Sequence, residues 1–245
     1  MSSLGFASGA SVTVDGHLQV DGTCTYAGGT YTGGGTIEHE GDVIVTADTT
    51  IGVSNLNWDG DSSVNVTTID PDVDLVLNCA TLDGIDPEDG ADSTFNINSG
   101  SLTVSTTDAW RMEGILNLAK TSTAIPSVNG QEMLVGDRDG IWGPVVAEVN
   151  VSTGWAYLNC PVTCESAAAV SIPAASELLL YGGVTYDGAS FTGPGTLRHY
   201  SSGDVTADTA IDVGVFDWDG GPTQIDPDVT FTINCPIEAR SEERR

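Results

Sequence analysis

The sequence predicts an all-β protein in which short strands coil into a parallel solenoid. Three observations lead to this fold class. The chain repeats part of itself, apolar and polar residues alternate with a period of two, and glycine-containing turn signals separate the short strands. Short strands with frequent turns fit a sandwich, a barrel or a solenoid. The internal repeat favours the solenoid, because stacked coils reuse one structural unit.

The internal repeat has an offset of 160 residues. Between residues 17 and 60, 20 of 44 positions are identical to those of residues 177–220, and the alignment needs no gap. The second copy then lacks four residues, so Ile69–Val73 returns as Ile225–Val229 at an offset of 156. Divided into coils of about 20 to 23 residues, the unit would comprise seven or eight coils.

The repeat and its flanks define the domain organisation. We expect one solenoid domain between a short lead-in and a charged tail. The expected segments are a lead-in at 1–9, a solenoid at 10–236 and a tail at 237–245, with repeat copy one at about 10–80, intervening coils at 81–168 and copy two at about 169–236.

Period-two alternation marks the individual strands. Each is four to six residues long, is rich in β-branched residues and has one apolar face. The clearest segments are Ser11–Val14, His17–Val20, Asp74–Leu77, Thr94–Ile97, Ser101–Val104, Glu148–Val151 and Thr230–Ile233. Asp-Gly and Gly-Gly pairs lie between strands and favour tight turns, because Gly adopts positive φ values freely and Asp tolerates them.

An Asn-Cys pair follows an aliphatic residue three times in the chain. Five cysteines are an odd number and do not resemble a disulfide framework. We interpret each pair as a solenoid corner, where Cys packs as a small buried residue and Asn hydrogen-bonds along the axis. The three pairs end at Cys79, Cys160 and Cys235.

The charge balance is strongly acidic, with 7 Lys+Arg against 35 Asp+Glu and a formal net charge of -28. Such a surface repels nucleic acid and anionic membranes. No apolar run approaches the roughly 18 residues of a membrane span, and no signal-peptide pattern is visible. Because the repeat is present in one and a half copies, we expect an excerpt of a longer chain that is extracellular or at the cell surface.

A seven-residue pattern carries a family resemblance. Tyr31–Ile37 reads YTGGGTI and Phe191–Leu197 reads FTGPGTL. Both resemble the aromatic-x-Gly-x-Gly-Thr-aliphatic pattern of right-handed parallel β-helix repeats, which occur in very large bacterial surface and secreted proteins, including autotransporter-passenger and adhesin-like chains. The resemblance covers about residues 10–236. It implies a non-catalytic structural or adhesive module and supplies no catalytic residues.

One short acidic loop supplies candidate metal ligands. Calcium takes six to eight oxygen ligands, and carboxylates are its usual protein donors. The alternative is that these aspartates serve only as solvated turn residues. The loop makes calcium the one cofactor that the sequence suggests, and its candidate ligands are Asp83, Asp86, Asp89 and Asp92.

Two aromatic-carboxylate pairs are candidate glycan-binding residues. Trp58 with Asp59 and Trp218 with Asp219 are equivalent positions of the repeat, each followed by Gly. An aromatic ring can stack on a sugar while the carboxylate accepts hydrogen bonds from its hydroxyls. The alternative is that both rings pack in the core before a tight turn. Core packing is also the expectation for the other tryptophans, which are Trp110, Trp142 and Trp155.

Two histidines also occupy equivalent positions of the repeat. We expect His39 and His199 to face solvent from their strands. Many coils separate them, so they are too far apart to share a metal ion.

The sequence contains no phosphate-binding loop, nucleophile elbow or metal-hydrolase motif. We therefore expect a non-catalytic module whose partners are surface glycans or other copies of the protein, the latter through end-to-end pairing of open sheet edges. Two alternatives stay open. A carbohydrate-active β-helix enzyme or tailspike-like depolymerase would need a groove with paired acids and a base, and an ice- or mineral-binding solenoid would need Thr-x-Thr rows in register.

Overall fold

The computed structural model describes residues 3–58, 66–83, 94–136 and 147–238. Every regular element within these ranges is a β-strand, which confirms the all-β prediction. The strands form a parallel solenoid of about ten revolutions, which we call coils, with a spacing of about 21 residues.

The described residues contain 26 strands, numbered in chain order. The first three coils contain β1 (Ser3–Phe6), β2 (Ala10–Thr13), β3 (His17–Val20), β4 (Thr23–His39) and β5 (Val43–Asn57). The next four contain β6 (Val66–Ile69), β7 (Asp74–Leu77), β8 (Thr81–Asp83), β9 (Thr94–Asn98), β10 (Ser101–Val104), β11 (Trp110–Met112), β12 (Ile115–Ala119), β13 (Ser127–Gly130), β14 (Met133–Val135), β15 (Ala147–Thr153), β16 (Trp155–Leu158) and β17 (Val162–Glu165). The remainder are β18 (Ala168–Ser171), β19 (Glu177–Leu180), β20 (Val184–Asp187), β21 (Ser190–His199), β22 (Gly203–Ala207), β23 (Thr209–Trp218), β24 (Thr223–Ile225), β25 (Phe231–Ile233) and β26 (Ile237–Glu238).

Each coil has three faces, because each strand pairs in parallel with the strand one coil away. The first face stacks β9, β12, β15 and β18, and the second stacks β10, β13, β16 and β19. The third stacks β11, β14, β17 and β20. The long strands β4, β5, β21 and β23 each run through more than one face. Pairing of β1 with β4 and of β26 with β23 extends the ladder into both predicted flanks.

The inward side of each face forms one continuous apolar core. Neighbouring coils place equivalent side chains about 4.8 Å apart, so the core is a set of columns along the axis. Stability is then distributed over contacts between neighbouring coils. One column of the first face runs through five side chains that are each at most 2 % exposed, namely Phe95, Leu116, Val149, Val170 and Phe191.

The repeated glycine-rich pattern forms a corner between two faces. Gly33 has φ +136° and Gly193 has φ +109°, a region that favours glycine. A Cβ atom would come within 2.1 Å of the Val14 carbonyl oxygen at position 33 and within 2.3 Å of the Ile172 carbonyl oxygen at position 193. The corner therefore lies directly against the backbone of the preceding coil, where a side chain does not fit.

The 160-residue offset does not correspond to a whole number of coils. Tyr26 pairs with Phe6 on the first face of the second coil. Its counterpart Tyr186 pairs with Cys164 on the third face of the eighth coil. The copies are thus six coils and two thirds apart, so the expectation of seven or eight coils was wrong. Because copy two is displaced by one face, outward residues of the two copies point in different directions.

The Asn-Cys corners pack as predicted. Cys79 and Cys160 are buried, Cys235 is partly buried, and all five cysteines are free thiols. Asn159 donates a hydrogen bond from Nδ2 to Oδ1 of Asn129 one coil away, at 2.7 Å. The asparagine position therefore supports contacts along the axis, and the cysteine position supports the core.

Candidate functional site

The first predicted glycan-binding tryptophan lies in the core. Trp58 is 4 % exposed and packs between His39 and Phe95, with ring centroids 4.9 and 6.2 Å away. Its Nε1 donates a hydrogen bond to Oγ1 of Thr67 at 2.8 Å. The ring presents no face to solvent. Its predicted partner Asp59 lies outside the described residues.

The second predicted pair lies near the last coils. The ring of Trp218 points inward, 4.9 Å from His199 and 5.3 Å from Phe216, and is partly buried. Asp219 follows it at the corner, is partly exposed, and donates its backbone N–H to the carbonyl oxygen of His199. The two tryptophans lie on different faces many coils apart, so the structure does not bring the pairs together.

The candidate calcium loop is described only at its start. Asp83 ends β8, whereas Asp86, Asp89 and Asp92 lie outside the described residues. Among the residues that are described, no group of three or more His, Cys, Asp or Glu side chains is placed to hold a metal ion. The calcium site therefore stays a prediction.

Both histidines are buried, so the prediction that they face solvent was wrong. His39 is 1 % exposed and His199 is 0 % exposed. Each shares the inward side of its strand with an aliphatic core residue, Ile37 or Leu197, two positions earlier. Burial lowers the pKa of His39 to about 4 and also lowers the pKa of His199.

Four aromatic side chains lie outward on the second face and at its following corner, from the seventh to the ninth coil. We call this group the aromatic strip, and its members are Trp155, Tyr157, Tyr181 and Tyr200. Trp155 and Tyr181 are each 46 % exposed, and the other two are partly buried. The prediction that Trp155 packs in the core was therefore wrong, whereas Trp110 is buried as predicted. Clustered exposed apolar groups of this kind mark binding sites on soluble proteins.

The rings of the strip contact one another across coils. Tyr157 and Tyr181 meet edge to face, with centroids 5.5 Å apart and an interplanar angle of 89°. Tyr181 and Tyr200 stack at 4.8 Å and 6°. Such contacts fix the ring orientations before any ligand binds, and rigid aromatic side chains lose little conformational entropy on binding.

Polar corner residues lie on both sides of the stacked tyrosines. Asn159, Tyr181, Tyr200 and Asp219 each directly follow a strand segment of the second face, in four successive coils. They therefore form one column along the axis, with the amide of Asn159 at one end and the carboxylate of Asp219 at the other. The sequence-predicted Asp219 thus borders the aromatic strip.

An ion-pair chain runs beside the strip. Nε of Arg198 lies 2.8 Å from Oε2 of Glu177, and Nη1 lies 3.1 Å from Oδ2 of Asp217. Asp217 is 1 % exposed, and its second oxygen, Oδ1, has no hydrogen-bond partner. Leu179 pairs with both Tyr157 and Arg198 and fills the space between them. The surface thus combines aromatic rings with a free acceptor and a fixed guanidinium.

A second charged cluster lies on the third face. Arg111 donates from Nη1 to Oε2 of Glu165 at 2.6 Å, and its Nε lies 3.5 Å from Oε1 of Glu113. The backbone of Gly136 closes over this cluster, because a Cβ there would come within 2.4 Å of the Glu165 carboxylate. The cluster is a compact ion-pair network with little exposed side chain.

Hydroxyl side chains form two rows in register on the second face of the first coils. Ser11 and Thr13 stack on Thr30 and Thr32, and all four are exposed. In the next coil Gly52 replaces the second hydroxyl. The array is therefore two complete rows deep.

A cleft of about 290 Å³ lies where the third-face ladder is interrupted between β8 and β11. Its lining has small side chains and a single carboxylate. The lining residues are Ala80, Thr81, Leu82, Thr106, Asp108 and Ala109. This composition offers few groups for a specific ligand.

The chain matches no protein-family model, no curated protein and no solved structure. In the described ranges, no helix has the length and hydrophobicity that a membrane span requires.

Proposed function

We propose that the chain is a non-catalytic adhesive module of a large bacterial cell-surface or secreted repeat protein, and that the aromatic strip binds glycans. The observation that carries this proposal is the exposure of Trp155 and Tyr181 on a rigid parallel sheet. Sugars present apolar C–H faces that stack on aromatic rings and hydroxyls that need hydrogen-bonding partners. Asn159 and Asp219 at the ends of the tyrosine column supply such partners.

The architecture supports an adhesive role. A solenoid holds its outward side chains on a regular lattice, and a ligand that spans several coils contacts residues far apart in sequence. The net charge of -28 keeps such a surface soluble and limits non-specific contacts with polyanions. The family resemblance of the glycine corners supports an extracellular or cell-surface location.

A catalytic role is less well supported. A polysaccharide lyase or hydrolase needs an acid or base that exchanges protons with the substrate. The described cluster of paired acids with a basic residue is the one around Arg111, and its guanidinium is already held by two carboxylates. The hydroxyl rows of the first coils favour the ice- or mineral-binding alternative less, because a crystal surface needs a longer regular array.

Self-association is the second partner that we propose. Apolar side chains are exposed at both ends of the described solenoid, with Leu4 in the first coil and Ile225 and Ile237 in the last coils. Open sheet edges with exposed apolar side chains pair readily with other chains. Sedimentation of wild type and Ile225→Lys/Ile237→Lys should show a concentration-dependent oligomer that the double variant loses.

A glycan array tests the proposed function. The wild-type protein should bind a defined subset of oligosaccharides, and Tyr181→Ala should remove that binding. Leu134→Ala is the matched control, because Leu134 is an outward, partly buried residue on the third face. Equal thermal midpoints for the two variants would exclude unfolding as the cause. If the wild-type protein binds no glycan, the proposal is overturned.

A further inference from the structure

One cation of the described surface has no carboxylate partner. The described residues contain three Lys or Arg side chains, which are Arg111, Lys120 and Arg198. Each arginine has two carboxylates within 4.0 Å, whereas Lys120 has none in the described chain. In a protein with 35 acids and 7 basic residues, an ammonium that no acid neutralises is an exception.

Lys120 is held in place at the edge of the aromatic strip. Its Nζ lies 5.6 Å from the ring centroid of Trp155, a cation–π distance. Its stem packs against Gly154, where an added Cβ would lie 3.2 Å from both Cβ and Cδ of the lysine. The backbone N–H of Lys120 also donates to the carbonyl oxygen of Thr153. The ammonium is therefore positioned by packing and not by an ion pair.

The carboxylate nearest in register is engaged elsewhere. Glu177 stacks on Trp155 in the next coil, but its Oε2 lies 2.8 Å from Nε of Arg198. Lys120 is thus left with an unused charge beside the most exposed indole of the strip. From Trp155 to Tyr200 the strip spans two coil spacings, or about 10 Å, which is the length of a short oligosaccharide.

We infer that the glycan bound by the strip carries a carboxylate, and that Lys120 binds this group while Trp155 stacks on the same sugar. The inference rests on the proposed function and names its ligand class, an acidic oligosaccharide containing uronic or sialic acid. A salt bridge to a bound carboxylate would supply the partner that the protein itself does not provide. The repulsion from the acidic remainder of the surface is screened beyond about 8 Å at physiological ionic strength, so the contact at Lys120 dominates.

The test uses an array of neutral, uronic-acid and sialic-acid oligosaccharides at 150 mM salt (about physiological). The probes bound by the wild-type protein should be acidic. Calorimetry then compares the tightest probe with its carboxyl methyl ester. Lys120→Met keeps the apolar stem and should weaken binding of the acid about tenfold or more, without changing binding of the ester. Lys120→Arg should retain most of the affinity.

The outcomes separate the inference from the function on which it rests. Tyr181→Ala should weaken the acid and its ester alike. If neutral glycans bind in a Tyr181-dependent manner and Lys120→Met has no effect, the inference is overturned and the proposed function stands. If no glycan binds, both are overturned. Unchanged thermal midpoints of Lys120→Met and Tyr181→Ala would show that the lost affinity is local.

Discussion

The hydroxyl of Tyr26 lies 3.0 Å from Nε2 of His39 inside the solenoid, and the hydroxyl of Tyr186 lies 3.2 Å from Nδ1 of His199. Each imidazole also lies 4.9 Å from the tryptophan that follows it by one coil. The repeat thus reproduces a buried Tyr-His-Trp cluster, although the second copy is displaced by one face. The repeated residues serve the core, and the aromatic strip belongs to neither cluster.

The buried histidines should make stability depend on pH. The unfolded chain binds a proton at His39 near pH 6.5, whereas the folded chain does so only near pH 4. The free energy of unfolding therefore falls as the pH falls through this window. Between pH 7.5 and pH 5, His39 should contribute a loss of about 2 kcal/mol, and His199 should act in the same direction.

Urea unfolding of the wild type and His39→Gln at both pH values isolates this contribution. The variant lacks the titrating imidazole but keeps the other acids, whose charge also changes with pH. Its stability should fall less than that of the wild type as the medium is acidified. Parallel pH profiles would show that the histidine does not titrate as its burial implies.

The corner glycines should be sensitive to a single methyl group. Gly33→Ala places a Cβ 2.1 Å from the Val14 carbonyl oxygen at a φ of +136°, so we expect a loss of at least about 2 kcal/mol. Gly34→Ala is the matched control, because its added Cβ meets nothing within 4 Å. Thermal unfolding of the two variants checks this, and similar losses would contradict the corner geometry.

Replacement of Trp58 separates its core role from the glycan-binding role predicted from the sequence. Trp58→Phe removes the hydrogen bond to Thr67 and leaves a buried hydroxyl unpaired, which costs about 1–3 kcal/mol. The double variant Trp58→Phe/Thr67→Val should recover part of that loss. Glycan binding by the single variant should equal that of the wild type, and a selective loss of binding would place the site at Trp58 instead.

Calcium binding at the acidic loop that begins at Asp83 stays a prediction from the sequence. If the loop holds the ion, calcium should raise the thermal midpoint relative to chelator at matched ionic strength. Asp86→Asn/Asp89→Asn should remove the calcium-dependent part of the midpoint. No difference between calcium and chelator in the wild type would assign these aspartates to solvation alone.

Local patterns were sufficient to predict the fold class. Period-two alternation and glycine corners are local, and the buried Cys79 and Cys160 follow from the small size of cysteine. The same alternation placed His39 in line with Ile37, and the prediction failed there because its polarity was given more weight than its position. The coil count failed because the offset of the repeat was assumed to contain whole coils.

The aromatic strip depends on register, which the sequence does not state. Tyr157, Tyr181 and Tyr200 are 24 and 19 residues apart, so no local motif connects them. They meet because each separation is close to one coil. A search for aromatic residues at that spacing could have found the strip once a solenoid was assumed. Asp219 was singled out beside Trp218, and it borders the strip on the opposite side of the strand from that ring.

Acrylamide quenching of tryptophan fluorescence tests most directly whether glycans bind at the strip. Trp155 is 46 % exposed, whereas Trp58 and Trp110 are buried. Trp155→Phe identifies the component of the fluorescence that belongs to Trp155. Saturation with the tightest oligosaccharide from the array should protect that component from the quencher. If the oligosaccharide binds and the quenching of Trp155 is unchanged, the glycan lies elsewhere and the account of the aromatic strip is contradicted.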